Sequence, residues 1–493
     1  MKLNIKTKYI VYFGLLVAFL FRMFNFNYEG LWNDELFTVS SAHPNLSIIE
    51  VINYLKKDIH PPLHNILCNI WIKIFDYNDK SFRLLNILFG VVGVYSVYAL
   101  AKLLFNKRVG LYAMVFAVLN RYLIMYSQEV RSYGLLFLLA NFSFYFFIKL
   151  IRDGFNFKNA SWYIVVTTAM LYTHYFALFV IASQFFCFLF LIDWKAFKKR
   201  ALKYIVTFLL PNLLFLFWVP IIFKHLDKPR GGWRDEASLS LLFEYSHDFF
   251  NDQILSVVSI CLVIITFLYL IARKLIQFKE IKVFFNKSNY GLVVLITWFV
   301  VFFFIPFIKS SFSDTMMFNR YFVPLITPII IILAFYVSKI KSKNLREIVL
   351  ISIIGYSILV LFLNDSPYFE KATTFRETVE NLKEKSDDPY VLHIANNWRF
   401  FDYYLRQYKI RKIKSNYKAF RKMIDKEQPD EYYVLLNLKQ IPEQFKKGVP
   451  SLKGYKEANS KIFNNSNNIN GNKLIKYTKT NNLHQVIKPE KDD

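Results

Sequence analysis

The sequence predicts an all-α polytopic membrane protein with about 11 transmembrane helices, interfacial helices in the first outer loop and a small C-terminal extracytoplasmic α/β domain. Three observations lead there. The 493 residues are 55% hydrophobic with a mean hydropathy of +0.27, and apolar runs of membrane-spanning length recur as far as Asn364. Between the runs, loops rich in Lys and Arg alternate with loops poor in them, the pattern of a multi-pass protein under the positive-inside rule. Beyond Asn364 the apolar runs give way to short β-type and amphipathic segments. The formal charge of +26 is spread among the apolar runs, so it marks cytoplasmic loops of a plasma-membrane protein and no nucleic-acid-binding face.

Spans are expected at roughly 8–25, 83–104, 110–126, 133–150, 160–178, 178–194, 203–223, 253–272, 290–308, 321–338 and 347–364. The basic groups around Lys102–Arg108, Lys149–Lys158, Lys195–Arg200, Arg273–Lys282 and Lys339–Arg346 share one side with the N-terminus, which the rule makes cytoplasmic. Leu63–Phe75 is apolar but too short to cross, and it follows Pro61-Pro62. It reads as an interfacial or re-entrant helix, because counting it as a span would break the charge alternation. With that parity, residues 26–82, 127–132, Thr173–Tyr175, 224–252, 309–320 and everything after Asn364 face outward.

The chain then divides into a membrane domain over 1–364, an α/β domain over 365–463 and an Asn-rich, charged tail over 464–493 read as loop or disorder. Tyr390–Ala395 and Tyr432–Leu438 are the expected strands of the outer domain, and Trp398–Tyr408 and Tyr417–Asp425 its expected helices. Cys68, Cys187 and Cys261 sit in apolar stretches without CxxC spacing, which suits buried small hydrophobes rather than disulfides or zinc ligands.

Chemistry-bearing residues collect on the outward side. Asp34 and Glu35 in Leu31-Trp32-Asn33-Asp34-Glu35 follow the first span and could act as a general base and its neighbour. The alternative is a helix start in which Asn33 or Asp34 is the N-cap. His60-Pro61-Pro62-Leu63-His64 forms a stiff corner able to aim His60, or simply a helix start with surface histidines. Tyr126-Ser127-Gln128-Glu129-Val130-Arg131-Ser132-Tyr133 is an outer turn whose Glu129 and Arg131 are costly at a membrane boundary unless they face water or a partner. Arg83, His174 and Arg320 head or end other spans on the same side. The loop with Gly231-Gly232 reads as a hinged lid or a plain surface loop.

In this order and on this common side, the carboxylate pair, the HPPL corner, the QExR turn, LYTHYFA around His174 and NRYFVP around Arg320 resemble the GT-C membrane glycosyltransferases. The set is most similar to the protein O-mannosyltransferase and lipid A aminoarabinose transferase relatives, glycosyltransferase family 39-like. The resemblance covers most of residues 1–335 and is strongest in the first ~175. It implies a GT-C fold and transfer of a hexose or pentose, as in the mannosyltransferases, from a polyprenyl-phosphate donor outside the cytoplasm. Asp34 would be the general base of an inverting displacement. Glu35 and Glu129 would orient the acceptor or hold a divalent metal ion, in which case Asp34 and Glu129 are the ligands. The acceptor is a glycan, a lipid or a protein, and membrane lipids are the other partners.

Departure of a lipid phosphate needs positive charge and hydrogen-bond donors, so Arg83, Arg131 and Arg320, with His60 and His174, are the candidates for the donor phosphate or sugar. No Walker or dinucleotide-binding glycine loop and no DxD motif is present, which suits a lipid-linked donor. A flippase or transporter for lipid-linked sugars is the competing expectation. It would put ionisable residues near the bilayer midplane, whereas these lie at the outer helix ends.

Overall fold

The computed structural model describes residues 5–192, 194–226, 238–250, 252–276, 287–362, 373–394, 399–438, 441, 445, 449–464 and 470–480. The chain separates into two compact units. One comprises Met1–Phe26, Ser41–Asp76 and Ser81–Tyr368; the other comprises Asn27–Ser40, Tyr77–Lys80 and Phe369–Asp493.

The first unit is helical, and the protein is a multi-pass membrane protein. Among the described residues seven helices are long and apolar enough to cross a membrane: Asp79–Leu104, Tyr133–Arg152, Ala201–His225, Gln253–Ala272, Asn289–Phe312, Asn319–Lys339 and Lys343–Phe362. The pair Lys107–Leu119 and Arg121–Gln128, bent by 59°, makes eight if the two halves count as one broken span rather than a re-entrant loop. The expected number of about 11 is therefore not met by length and composition alone. The three remaining segments fall short for separate reasons. Ile5–Met23 carries Lys6, Lys8 and Arg22, while Phe157–Leu171 and Ala177–Leu191 have 15 residues each. Leu63–Ile72, at 10 residues, is as short as its sequence implied.

The bent pair shows why Arg22 lies within an apolar helix. Asn120 ends the first half in an extended conformation and caps the second, its side chain accepting from Leu123 N. The last carbonyls of the first half lose their helical partners at that break. Fully buried Arg22 supplies replacements, donating from Nη2 to Ala117 O at 3.3 Å and from Nη1 to Val118 O at 3.4 Å. Its Nε donates to Ser127 Oγ at 3.1 Å, and Gln128 Nε2 returns bonds to the carbonyls of Arg22 and Phe24, both 3.0 Å. Gly90 makes room for this crossing, since a Cβ there would lie 2.0 Å from Ser127 Oγ. The Ser127–Ser132 turn is thus braced from the end of the first helix.

Polar side chains deeper in the unit bond to one another. Asn141 donates to Ser96 Oγ at 3.0 Å and accepts from Thr327 Oγ1 at 2.7 Å, which joins three crossings. Gln184 accepts from Tyr163 OH at 2.8 Å and donates to Ser143 Oγ at 2.7 Å.

The second unit is built on a five-stranded sheet. Its strands in chain order are β1 (Val391–Ile394), β2 (Ile413–Lys414), β3 (Glu431–Asn437), β4 (Tyr455–Asn464) and β5 (Asn470–Lys479), arranged β2-β1-β3-β5-β4. β2, β1 and β3 are parallel, connected through helices Arg399–Gln407 and Tyr417–Glu427, and β5 and β4 add an antiparallel edge. Phe420 and Ile424 of the second helix pack into a core with Leu392, Val434 and the stacked rings of Tyr432 and Tyr477, 4.8 Å apart. The expected strands and helices of this domain are present. One expectation is corrected: residues 470–479, read as loop or disorder, form a strand paired on both sides. Leu474, Ile475 and Tyr477 are buried, which compensates for the polar residues between them. The Gly231–Glu236 loop lies outside the described residues, so its reading as a lid stays with the sequence.

Candidate active site

In the first unit the HPPL corner, the QExR turn and the Thr173–Tyr175 turn meet. Pro61 and Pro62 remove two backbone donors ahead of the short helix, and the next N–H, that of Leu63, donates to Tyr172 O at 2.9 Å. His64 is then buried and bonds through Nε2 to Asn86 Oδ1 at 2.9 Å. Asn86 can only accept through that oxygen, so Nε2 carries the proton. Burial holds the imidazole neutral, down to about 4, with the Asn86 bond working the other way.

His60 has a neighbour at each ring nitrogen. Its Nδ1 is 3.0 Å from Asp58 Oδ2, and its Nε2 is 3.4 Å from Arg131 Nη2. A guanidinium only donates, so Nε2 is the acceptor and the ring proton sits on Nδ1, donated to Asp58. Burial raises the Asp58 pKa, but the bond from His60 and the charge of Arg131 outweigh it and bring it to about 2. Asp58 therefore stays ionised and holds the ring against Arg131.

His174 stands beside this row, its ring 5.6 Å from that of His60 and 4.9 Å from that of Tyr321. Its Nδ1 accepts from Phe176 N at 3.2 Å, which leaves the proton on Nε2. Burial, reinforced by the positive charges of Arg131 and Arg320, pushes its pKa well below the ordinary value, so it acts as a neutral donor. Arg320 lies over the ring of Phe318, 4.2 Å from its centroid, and 5.8 Å from that of Tyr133. Tyr133 in turn lies 6.0 Å from His174 and 5.2 Å from Tyr126 across the QExR turn. Glu129 sits within that turn, its carbonyl accepting from Arg131 N at 2.8 Å.

The structure thus brings together His60, Arg131, His174 and Arg320, with Glu129 on the same turn as Arg131. Arg83 is placed differently: it is buried, and its Nη1 donates to Phe26 O at 2.6 Å, bracing the end of the first helix. Tyr175 is likewise a brace, since its hydroxyl meets His225 Nδ1 at 2.8 Å and accepts from Trp218 Nε1 at 3.1 Å.

Asp34 and Glu35 belong to the second unit, on the helix Asn33–Ser41. Its first turn closes with Leu36 N donating to Trp32 O at 2.8 Å, so Trp32 is the capping position. Glu35, three residues on, reaches back to Trp32 N at 3.1 Å. The cap expected of Asn33 or Asp34 is therefore made by Glu35, which is 1% exposed, whereas Asp34 is only half-buried. The same unit fixes this turn through residues that sequence reading missed. Leu31 N donates to Tyr404 OH; Tyr404 OH and Tyr403 OH donate to the two oxygens of Asp79 at 2.9 and 2.8 Å. Arg376 approaches Asp79 at 3.4 Å and donates to Asn27 Oδ1 at 3.0 Å and to the carbonyls of Asn27 and Tyr28 at 2.8 and 2.9 Å.

Among the described residues no three His, Cys, Asp or Glu side chains are gathered as a group able to hold a metal ion.

Comparison with known proteins fits this architecture. Residues 59–219 match the model of the dolichyl-phosphate-mannose-protein mannosyltransferase family. This stretch contains the HPPL corner, the QExR turn and His174, and is about a third of the chain. The structure of ArnT from Cupriavidus metallidurans bound to undecaprenyl phosphate superposes with a TM-score of 0.60 at 11% identity, covering 98% of both chains. The chain has the ArnT fold, of the GT-C type. The GT-C fold is also shared with apo ArnT, TM-score 0.56 at 11% identity over 95% of this chain and 97% of that one. Archaeoglobus fulgidus AglB, solved with an inhibitory peptide and a dolichol-phosphate, gives a TM-score of 0.50 at 10% identity, covering 88% of this chain and 70% of AglB. No curated protein sequence matches the chain.

Proposed function

We infer that the chain is a membrane glycosyltransferase that moves a sugar from a polyprenyl-phosphate donor to an acceptor hydroxyl on the extracytoplasmic face. The observation that carries this reading is the group of His60, His174, Arg131 and Arg320 at neighbouring helix ends, with Asp58 fixing the tautomer of His60. Asp34 takes the proton of the acceptor hydroxyl as its oxygen attacks the anomeric carbon. The bond from that carbon to the phosphate oxygen breaks, its electron pair leaves with the lipid phosphate, and the configuration inverts. Arg131 and Arg320 receive the developing charge, and neutral His174 donates from Nε2. Glu35 keeps the Asp34 turn in shape as its cap. Arg83 has a supporting place at the end of the first helix.

Support for a lipid-linked donor comes from the solved relatives, ArnT with undecaprenyl phosphate and AglB with a dolichol-phosphate. The basic loops put the N-terminus in the cytoplasm and the C-terminal domain outside. Two measurements test the reading. Mass spectrometry of surface glycans and glycolipids from a strain lacking the protein should show one sugar missing from one acceptor. A cysteine placed at Ser132 should react with an impermeant thiol reagent added from outside. An unchanged glycan profile with lost movement of lipid-linked sugar would point to a flippase, and labelling only from the cytoplasm would reverse the orientation.

A further inference from the structure

The sheet unit holds a cavity of about 550 Å³ with no part in the transfer chemistry above. It lies at the ends of β1 and β2 and against the helix Arg399–Gln407, lined by His393, Asp402, Arg406, Arg411, Lys414 and Asn416 among others. The chain runs from β1 to β2 on one side and then to β3 on the other, and open parallel sheets take their ligands outside the carboxyl ends of such strands. Three lining residues are basic and one is acidic. Asp402 is occupied by Arg406, Nε to Oδ2 at 2.8 Å, whereas among the described residues Arg411 and Lys414 have no carboxylate partner. Asn416 caps the helix Tyr417–Glu427 at the cavity wall, accepting from Ala419 N at 3.1 Å, so the positive end of that helix also faces this region.

His393 adds an independent observation. It is 3% exposed and lines the cavity, and among the described residues its Nδ1 has no hydrogen-bond partner. A buried N–H without an acceptor costs more than a bare lone pair, so the ring proton belongs on Nε2. Burial holds the imidazole down to about 4, partly offset by the charge of Asp402, so near neutral pH it is an uncharged donor.

We propose that this cavity is a second anion site, which binds the phosphoryl group of a phosphate ester through Arg411, Lys414 and His393. Two unpaired cations match a phosphomonoester dianion, and the volume exceeds that of a free phosphate, so the rest of the ester is held as well. The phosphate belongs either to a soluble or glycan-borne ester or to a lipid headgroup.

Hydrogen–deuterium exchange on the full-length protein in nanodiscs separates these sources and keeps the readout away from Arg131 and Arg320. Glycerol 3-phosphate, glycerol, and nanodiscs carrying polyprenyl phosphate are the three probes. Glycerol 3-phosphate should slow exchange over residues 405–416, and glycerol should not. Arg411→Glu with Lys414→Glu, both exposed positions, should weaken the apparent affinity by about 10-fold or more while exchange in β3 stays as in the wild type. Protection by polyprenyl-phosphate nanodiscs alone would assign the phosphate to a lipid. Absence of protection with either phosphate probe, equal protection by glycerol, or undiminished protection in the double variant would overturn the site. Because this unit is read locally, failure here leaves the transferase reading standing, and the reverse also holds.

Discussion

Two groups of polar side chains, one in each unit, are both buried and charged, yet they are built differently. Around Asp79 each carboxylate oxygen has its own phenol at 2.8 or 2.9 Å, and Arg376 spends its guanidinium on Asn27, Tyr28 and Asp79. Around His60 the link to Arg131 is long, at 3.4 Å, and the guanidinium of Arg320 lies over the ring of Phe318, 4.2 Å from its centroid. The first arrangement fixes a fold. The second suspends cations and neutral histidines beside one another, as binding a transient anion requires.

Breaking the second group should have the largest effect. Arg131→Ala or Arg320→Ala should each lower sugar transfer by about 10²–10³, the usual cost of losing one donor to developing charge. Abundance and melting in detergent should stay close to wild type. Lysine at either position should recover only part of the rate, because it lacks the planar fork. A matching loss of folded protein would move these arginines into the class of Arg376.

The Asp79 group should respond in stability first. Arg376→Ala leaves a nearly buried carboxylate without its cation and should cost about 3 kcal/mol or more of unfolding free energy in the sheet unit. Tyr404→Phe, which removes one phenol and the bond to Leu31 N, should cost about 1–2 kcal/mol. Thermal melts and limited proteolysis of the whole protein can rank the two. The opposite order would mean that the tyrosine, not the ion pair, holds the turn before Asp34.

A smaller effect is expected from pH. An unfolded histidine takes up a proton below pH ~6.5, while His64 and His393 stay neutral when folded down to about 4. Their folded pKa values are depressed, so the unfolded state binds more protons in this window. Stability should fall by roughly 1–3 kcal/mol as pH drops from ~6.5 to ~4 and be flat just above it. Asp58 contributes in the same direction but lower down. Its ionised form is favoured by folding, and that contribution fades as pH falls from ~3.9 towards about 2. His64→Asn with His393→Asn should flatten the upper part of the melting profile. An unchanged slope would place the proton uptake elsewhere.

Legibility in the sequence followed the range of the interactions. Local signals were readable: apolar length, loop charge, the Pro61-Pro62 corner, and the turn between two apolar helices at QExR. The grouping of His60 and His174 with Arg131 and Arg320 followed from placing short motifs on one side of the membrane. The Asp79 group was not readable, because Asp79 and Tyr404 are 325 residues apart and neither lies in a motif. Arg22 was invisible for a related reason: its partners are carbonyls freed by a bend at Asn120. The strand at 470–479 was hidden by its Asn and Lys content, since pairing on both sides, rather than composition, makes it a strand. The sequence offered Asn33 or Asp34 as the cap and missed Glu35, because a carboxylate reaching back three residues looks the same on paper as one facing solvent.

The central claim is tested most directly by sugar transfer in reconstituted membranes, with a labelled polyprenyl-phosphate donor and acceptor material from cells lacking the protein. Wild type should transfer the label and release polyprenyl phosphate in equal amounts, whereas Asp34→Asn, folded and inserted normally, should do neither. Full transfer by Asp34→Asn would contradict the account.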